Sequence, residues 1–216
     1  MNTEALVKLR AYWDSLRNGR SAPYRAELDP RKFEDVLEHM FILEQLSPSQ
    51  IRVRLAGMAL CEMMGMEVRG MPPEAFIDAE HRETFGQHLV SVLNDPSVIE
   101  LDLMAGDAAG GSVPAQMLLL PLRSDFGEVT RILGCVVTES DNVRAPVNFS
   151  ILNHRRSVVR PSATGAVDPL PGFEEPPAAY QPPGANVPLK AVVSNPDAAA
   201  TAPRRGHLRV VSADRS

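Results

Sequence analysis

The chain has 216 residues, which suits one domain with chain to spare. Residues 1–144 carry 14 Lys/Arg against 22 Asp/Glu, and 145–216 carry 8 against 5 together with 11 of the 19 prolines. An acidic body argues against a nucleic-acid-binding domain, since phosphate contacts need a concentrated positive face; the 2 cysteines are too few for a disulfide framework, and no His/Cys cluster has zinc spacing.

In chain order, residues 3–18 predict a helix, because Leu6, Leu9, Trp13 and Leu16 recur at three- and four-residue steps along one stripe. Asn18-Gly19 ends it, and Asp29-Pro30 opens a second helix with Phe33, Val36, Leu37 and Met40 on its buried side. The period then shortens. Residues 40–46 and 51–55 read as strands turned by Ser47-Pro48, with Ile51, Val53 and Leu55 facing one way and Arg52 and Arg54 the other. A short helix over 58–65 and a loop-rich section lead to a third substantial helix, 78–94, whose apolar face holds Phe85, Leu89, Val92 and Leu93. Three strands follow, over 97–105, 113–122 and 129–138, the first two joined by a glycine-rich hairpin loop. After about residue 140 the periodicity fades, and the Pro-rich remainder has too little apolar surface to offset the entropy of ordering it. No apolar run is long enough to span a bilayer and the start lacks a signal peptide's apolar core, so a cytoplasmic protein is expected.

Three strings carry a resemblance: YWDSLRNGRSAPYRAELDP over 12–30, VLEHMFILE over 36–44 and RVRLAGMALCEMMGMEVRGM over 52–71. With Tyr12, Trp13, Leu16, Arg17, Gly19, Arg20, Pro23, Arg25, Asp29, Pro30, Arg54, Leu55, Gly57, Gly65 and Gly70 in that order, the chain is similar to the short PAS-like proteins of alphaproteobacteria over roughly residues 8–140. The resemblance implies an α+β, PAS-like domain: a five-stranded antiparallel sheet with helices inserted after strand two, preceded by N-terminal helices. This agrees with the element order. The expected division is an N-terminal helix and linker over 1–30, a core over 31–142, and a mostly disordered tail over 143–216.

Trp13 with Arg17, Arg20 and Arg25 has two readings: an amphipathic helix that dimerises or passes a signal, or a cover for the open sheet face whose arginines pair with the acidic body. Arg54, just before Gly57, is expected either to grip a carboxylate or phosphate or to pair with Glu44 on the neighbouring strand. Methionines crowd residues 58–71, which suits either a malleable ligand cavity or a loosely specified core. Leu55, Met63, Phe76, Phe85, Leu89, Leu103, Met117 and Leu119 are the pocket candidates for a small apolar molecule.

No cofactor is expected. Cys61 in ALCEMMG lacks the Asn and Arg that flank the reactive cysteine of flavin photoreceptors, and His81 sits among charged neighbours, so that it and His88 read as ordinary helix histidines rather than haem ligands. Arg156 and Arg160 with Ser162 and Gly165 are too tightly spaced for a cyclic-dinucleotide barrel. No nucleophile elbow, P-loop, dinucleotide fingerprint, paired metal His or kinase motif occurs, so no enzyme is expected. The expected role is a cytoplasmic sensory or regulatory module that acts on a signalling partner such as a histidine kinase, another PAS protein or a second copy. The alternative is a small-molecule sensor built on the Met-rich pocket.

Overall fold

The computed structural model describes residues 3–107, 109–140 and 144–162, and the expected tail, apart from its first stretch, lies outside the described residues. Helix α1 (Thr3–Leu16) buries Leu9 and Trp13 and half-buries Leu6 and Leu16, the stripe expected from the spacing. Asn18 and Gly19 both take positive φ and end it.

The second expected helix is instead a run of short 3-10 turns, Pro30–Lys32 and Glu34–His39, although Asp29 does accept the Arg31 N–H as a cap. With three residues per turn, Phe33 and Val36 share the buried side while Leu37 swings out to 44 % exposure.

The sheet contains β1 (Met40–Ser47), β2 (Gln50–Ala56), β3 (Ser97–Asp107), β4 (Ser112–Arg123), β5 (Val129–Thr138) and β6 (Val147–Val158). The order is β2-β1-β5-β4-β3-β6, with every neighbour pair antiparallel. Helices α2 (Met58–Met64) and α3 (Arg82–Asn94) lie between β2 and β3, as expected of helices inserted after strand two.

The sixth strand exceeds the five expected and moves residues 147–158 from the expected tail into the sheet. Only Val147 and Phe149 of β6 point inward and are buried; a bulge at Leu152 follows, and the residues from Leu152 to Val158 are exposed. An edge strand with one apolar half carries little alternation for sequence reading to detect.

Both faces of the sheet are covered. On the face roofed by α2 and α3, Phe41, Leu43, Val53, Phe85, Leu89, Leu103, Met117, Leu119 and Phe149 form one cluster. On the other, Trp13, Leu28, Phe33, Met40, Ile42, Leu118, Leu120, Leu133 and Val137 form a second cluster under α1 and the 3-10 turns. Burial on two sides explains why β4 and β5 read as almost continuous apolar runs.

Candidate functional site

The N-terminal extension is tied down by its aromatic and by its arginines. The Trp13 side chain is fully buried, and its indole Nε1 donates to the Pro121 carbonyl at 2.9 Å. Arg17 lies over the same indole, its guanidinium carbon 5.4 Å from the ring centroid, and donates to the Arg20 and Arg160 carbonyls and to Asp14. Arg20 reaches both oxygens of Glu27 at 2.7 Å and the carbonyl of Leu16, and Glu27 also accepts the Tyr24 N–H. Arg123, which sequence reading passed over, donates to Ser21, to the Ala22 carbonyl and to the Gly127 carbonyl, binding the linker to the β4–β5 turn. Trp13, Arg17 and Arg20 thus hold the extension on the sheet. Arg25 is the exception: its guanidinium makes no ion pair or hydrogen bond among the described residues.

Leu55 departs from the sequence reading. Ile42 pairs with Leu55 and Leu43 with Val53, so Arg54 is an extra residue and the strand bulges there. One inserted residue reverses every later side chain. Ile51 and Val53 stay in the α3-side cluster, whereas Leu55 turns to the α1 side and is 44 % exposed. Of the other pocket candidates, Phe76, Phe85, Leu89, Leu103, Met117 and Leu119 do converge, all at most 2 % exposed in one cluster, with Met63 half-buried beside it. Met58 and Met66 point to solvent.

Arg54 lies 3.7 Å from Glu44, a looser contact than the 3.2 Å between Glu44 and Arg131, so the expected pair is present but secondary. Gly57 is a point of close approach: a Cβ there would stand 2.2 Å from the Glu38 carbonyl oxygen, and its N–H donates to the Met40 carbonyl at 2.7 Å.

Cys61 is half-buried and Cys135 buried, and burial pushes the Cys135 thiol up to about 12. His88 faces His154 of β6, ring centroids 4.6 Å apart, with its Nε2 buried and without a hydrogen-bond partner among the described residues. Burial, then the charges of His154 and Arg156, hold His88 below its ordinary value. Among the described residues no three His, Cys, Asp or Glu side chains come together in a way that could hold a metal ion, and no helix is long and apolar enough to cross a membrane.

Two of the grooves among the described residues open on the α1 side. One, of about 350 Å³, lies between the N-terminal half of α1 (Leu6, Val7, Arg10) and β3, β4 and β6. Its charges are matched internally: Glu100 pairs with Arg155 at 2.7 Å and Arg10 at 3.5 Å, and Asp102 accepts from Gln116 and Asn153. Apart from the Gln116 contact, 14 positions from Asp102, they join residues 51 to 90 positions apart, and nothing in the local pattern announces them. The other, of about 240 Å³, is apolar and lies against β1, β2 and the 3-10 turns, with Arg25 in its lining.

No curated protein matches the chain. Among solved structures, a light-oxygen-voltage domain studied with a flavin analogue is 17 % identical at a TM-score of 0.39, over 51 % of this chain and 83 % of that one. A Rhodobacter sphaeroides LOV protein is 15 % identical at 0.40, over 53 % and 70 %. The light-state LOV domain of the photoreceptor Aureochrome1 is 11 % identical at 0.38, over 50 % and 85 %. A family profile described as a PAS domain matches residues 1–137, well over half of the sequence and inclusive of α1, its arginine-rich linker and five of the six strands; the chain belongs to the PAS domain family.

Proposed function

We propose that this chain is a cytoplasmic sensory module that works by protein–protein contact through the α1 side of its sheet, and that it carries no catalytic activity. The observation that supports this reading most is the uneven anchoring of α1. Its C-terminal half is fixed by Trp13 and Arg17, while its N-terminal half leaves Val7 62 % exposed over a groove of about 350 Å³. An unfilled groove beside an apolar, exposed side chain suits a partner's contact. The partner is a signalling protein such as a histidine kinase, another PAS protein or a second copy.

Purification of the tagged full chain from its native host, with Val7→Glu as the control, tests this. The expected result is a signalling protein, or a dimer by light scattering, that is lost with Val7→Glu while the circular dichroism spectrum is unchanged. Retention of the same partner by the variant, or a monomer with no partner, overturns it.

A small-molecule sensor using the Met-rich interior has less support. Phe85, Leu89, Leu103 and Met117 are packed against one another, and Met58 and Met66 lie outside. Mass spectrometry of a denatured, natively purified sample decides it: a stoichiometric small molecule would favour the sensor.

A further inference from the structure

The apolar groove holds a feature that the partner reading does not use. It is lined by Phe33, Met40, Ile42, Leu55 and Leu133, and Arg25 lines it too. Arg25 is half-buried, yet its guanidinium has no partner among the described residues. The acids nearest in the chain are engaged elsewhere, Glu27 by Arg20 and the Tyr24 N–H, and Asp29 by Arg31. A guanidinium whose neighbouring carboxylates are taken, lining an apolar trough, matches a ligand with a carboxylate head and a hydrocarbon body.

We propose that this groove binds a linear amphipathic carboxylate of medium chain length, with the head on Arg25 and the chain along Met40, Ile42, Leu55 and Leu133. The groove offers about 240 Å³ of shelter. At ~30 Å³ for each water-sized group, it takes roughly eight such groups. An eight-carbon chain fills that space, and the end of a long acyl chain would run out into solvent. The bulge at Arg54 shapes the trough: were Arg54 paired within a regular strand, Leu55 would face the opposite cluster and Arg54 would take its place on the α1 side. The larger groove competes poorly for such a ligand, because its arginines already hold Glu100.

The test is a titration of the isotopically labelled full chain with sodium octanoate and, separately, with 1-octanol, followed by amide chemical shifts. Arg25→Gln and Leu55→Glu, both at positions that are not fully buried, serve as variants whose fold is verified by circular dichroism. The expected result is saturable shifts centred on Arg25, Leu37, Leu55 and Gly57. Arg25→Gln should weaken octanoate by about tenfold or more while leaving octanol unchanged, because only a charged head loses its partner. Leu55→Glu should weaken both. Absence of saturation, shifts centred elsewhere, or equal effects of Arg25→Gln on octanoate and octanol would overturn the assignment. So would shifts at the groove amides that depend on protein concentration without added ligand, since these would give the groove to a second copy.

Discussion

Removal of the Trp13 side chain separates a helix that is part of the core from one that merely rests on it. Trp13 is the only tryptophan, is 0 % exposed, and donates to Pro121 at 2.9 Å. A buried Trp removes about 150–250 Å² from water, which at about 25 cal/mol per Å² is roughly 4–6 kcal/mol, and measured Trp→Ala losses in cores run about 3–5 kcal/mol. Against a typical domain stability of about 5–15 kcal/mol, Trp13→Ala removes a large share, and the melting temperature should fall by about 6–20 °C. Trp13→Phe keeps much of the apolar contact but leaves the Pro121 carbonyl without its donor, at about 1–3 kcal/mol. The assay is urea denaturation of the wild type and both variants by far-ultraviolet circular dichroism. In the wild type, indole fluorescence reports the docking of α1 directly, so its transition should coincide with that of the dichroism. A fluorescence transition at clearly lower urea, or a Trp13→Ala loss under about 1 kcal/mol, would show that α1 is a detachable cover and refute the reasoning.

Gly57→Ala should destabilise by about 1–3 kcal/mol, since its new Cβ meets the Glu38 carbonyl, which is backbone and cannot swing aside; thermal melting measures it. In thiol labelling of the native protein, Cys61 should react and Cys135 should stay protected until denaturant is added, because burial holds the Cys135 thiol protonated. His88 titrates below its ordinary value, so the unfolded chain takes up a proton that the folded one refuses. Stability should therefore be level above about pH 7 and decline as pH falls through the ordinary histidine value near 6.5 toward the folded one. His88→Gln should flatten that decline in urea titrations at pH 7 and pH 5; an unchanged slope would remove His88 as its source.

The parts of this fold that were legible in the sequence are those where one face is buried over many residues. The Leu9–Trp13 stripe, the Phe85–Leu89–Val92 face and the long runs of β4 and β5 each repeat one period long enough to stand out. The candidate site was less legible, and for a different reason. The ion pairs around Glu100 and the anchoring of Arg123 depend on which strands lie side by side, and local spacing carries no record of that. Arg17, Arg20 and Arg25 look equivalent in the string RNGRSAPYR, yet two are held by carbonyls and carboxylates and the third has no partner among the described residues.

Leu55 shows how a single residue decides such a question. In QIRVRLA the alternation is regular, and a regular strand would send Ile51, Val53 and Leu55 to the same cluster. The partner strand permits this only as far as Val53, because Leu43 pairs with Val53 while Ile42 pairs with Leu55. Arg54 is then unopposed, and the pleat restarts with Leu55 on the α1 side, level with Ile42 and Leu133. A charged residue at the bulge is compatible with this, since its side chain is exposed there and reaches Glu44 only at 3.7 Å. Deletion of Arg54 should therefore do more than remove a weak ion pair. It should restore an unbroken pairing in which Leu43 still faces Val53 and Ile42 still faces Leu55, so that Leu55 keeps to the α1 side and the apolar trough beside Arg25 survives. The pairs on both sides of the bulge are then kept and nothing new enters the interior, so a variant lacking Arg54 should melt close to Arg54→Ala, which keeps the bulge and changes only an exposed side chain; a much lower melting temperature would show that the β2 backbone needs the bulge itself.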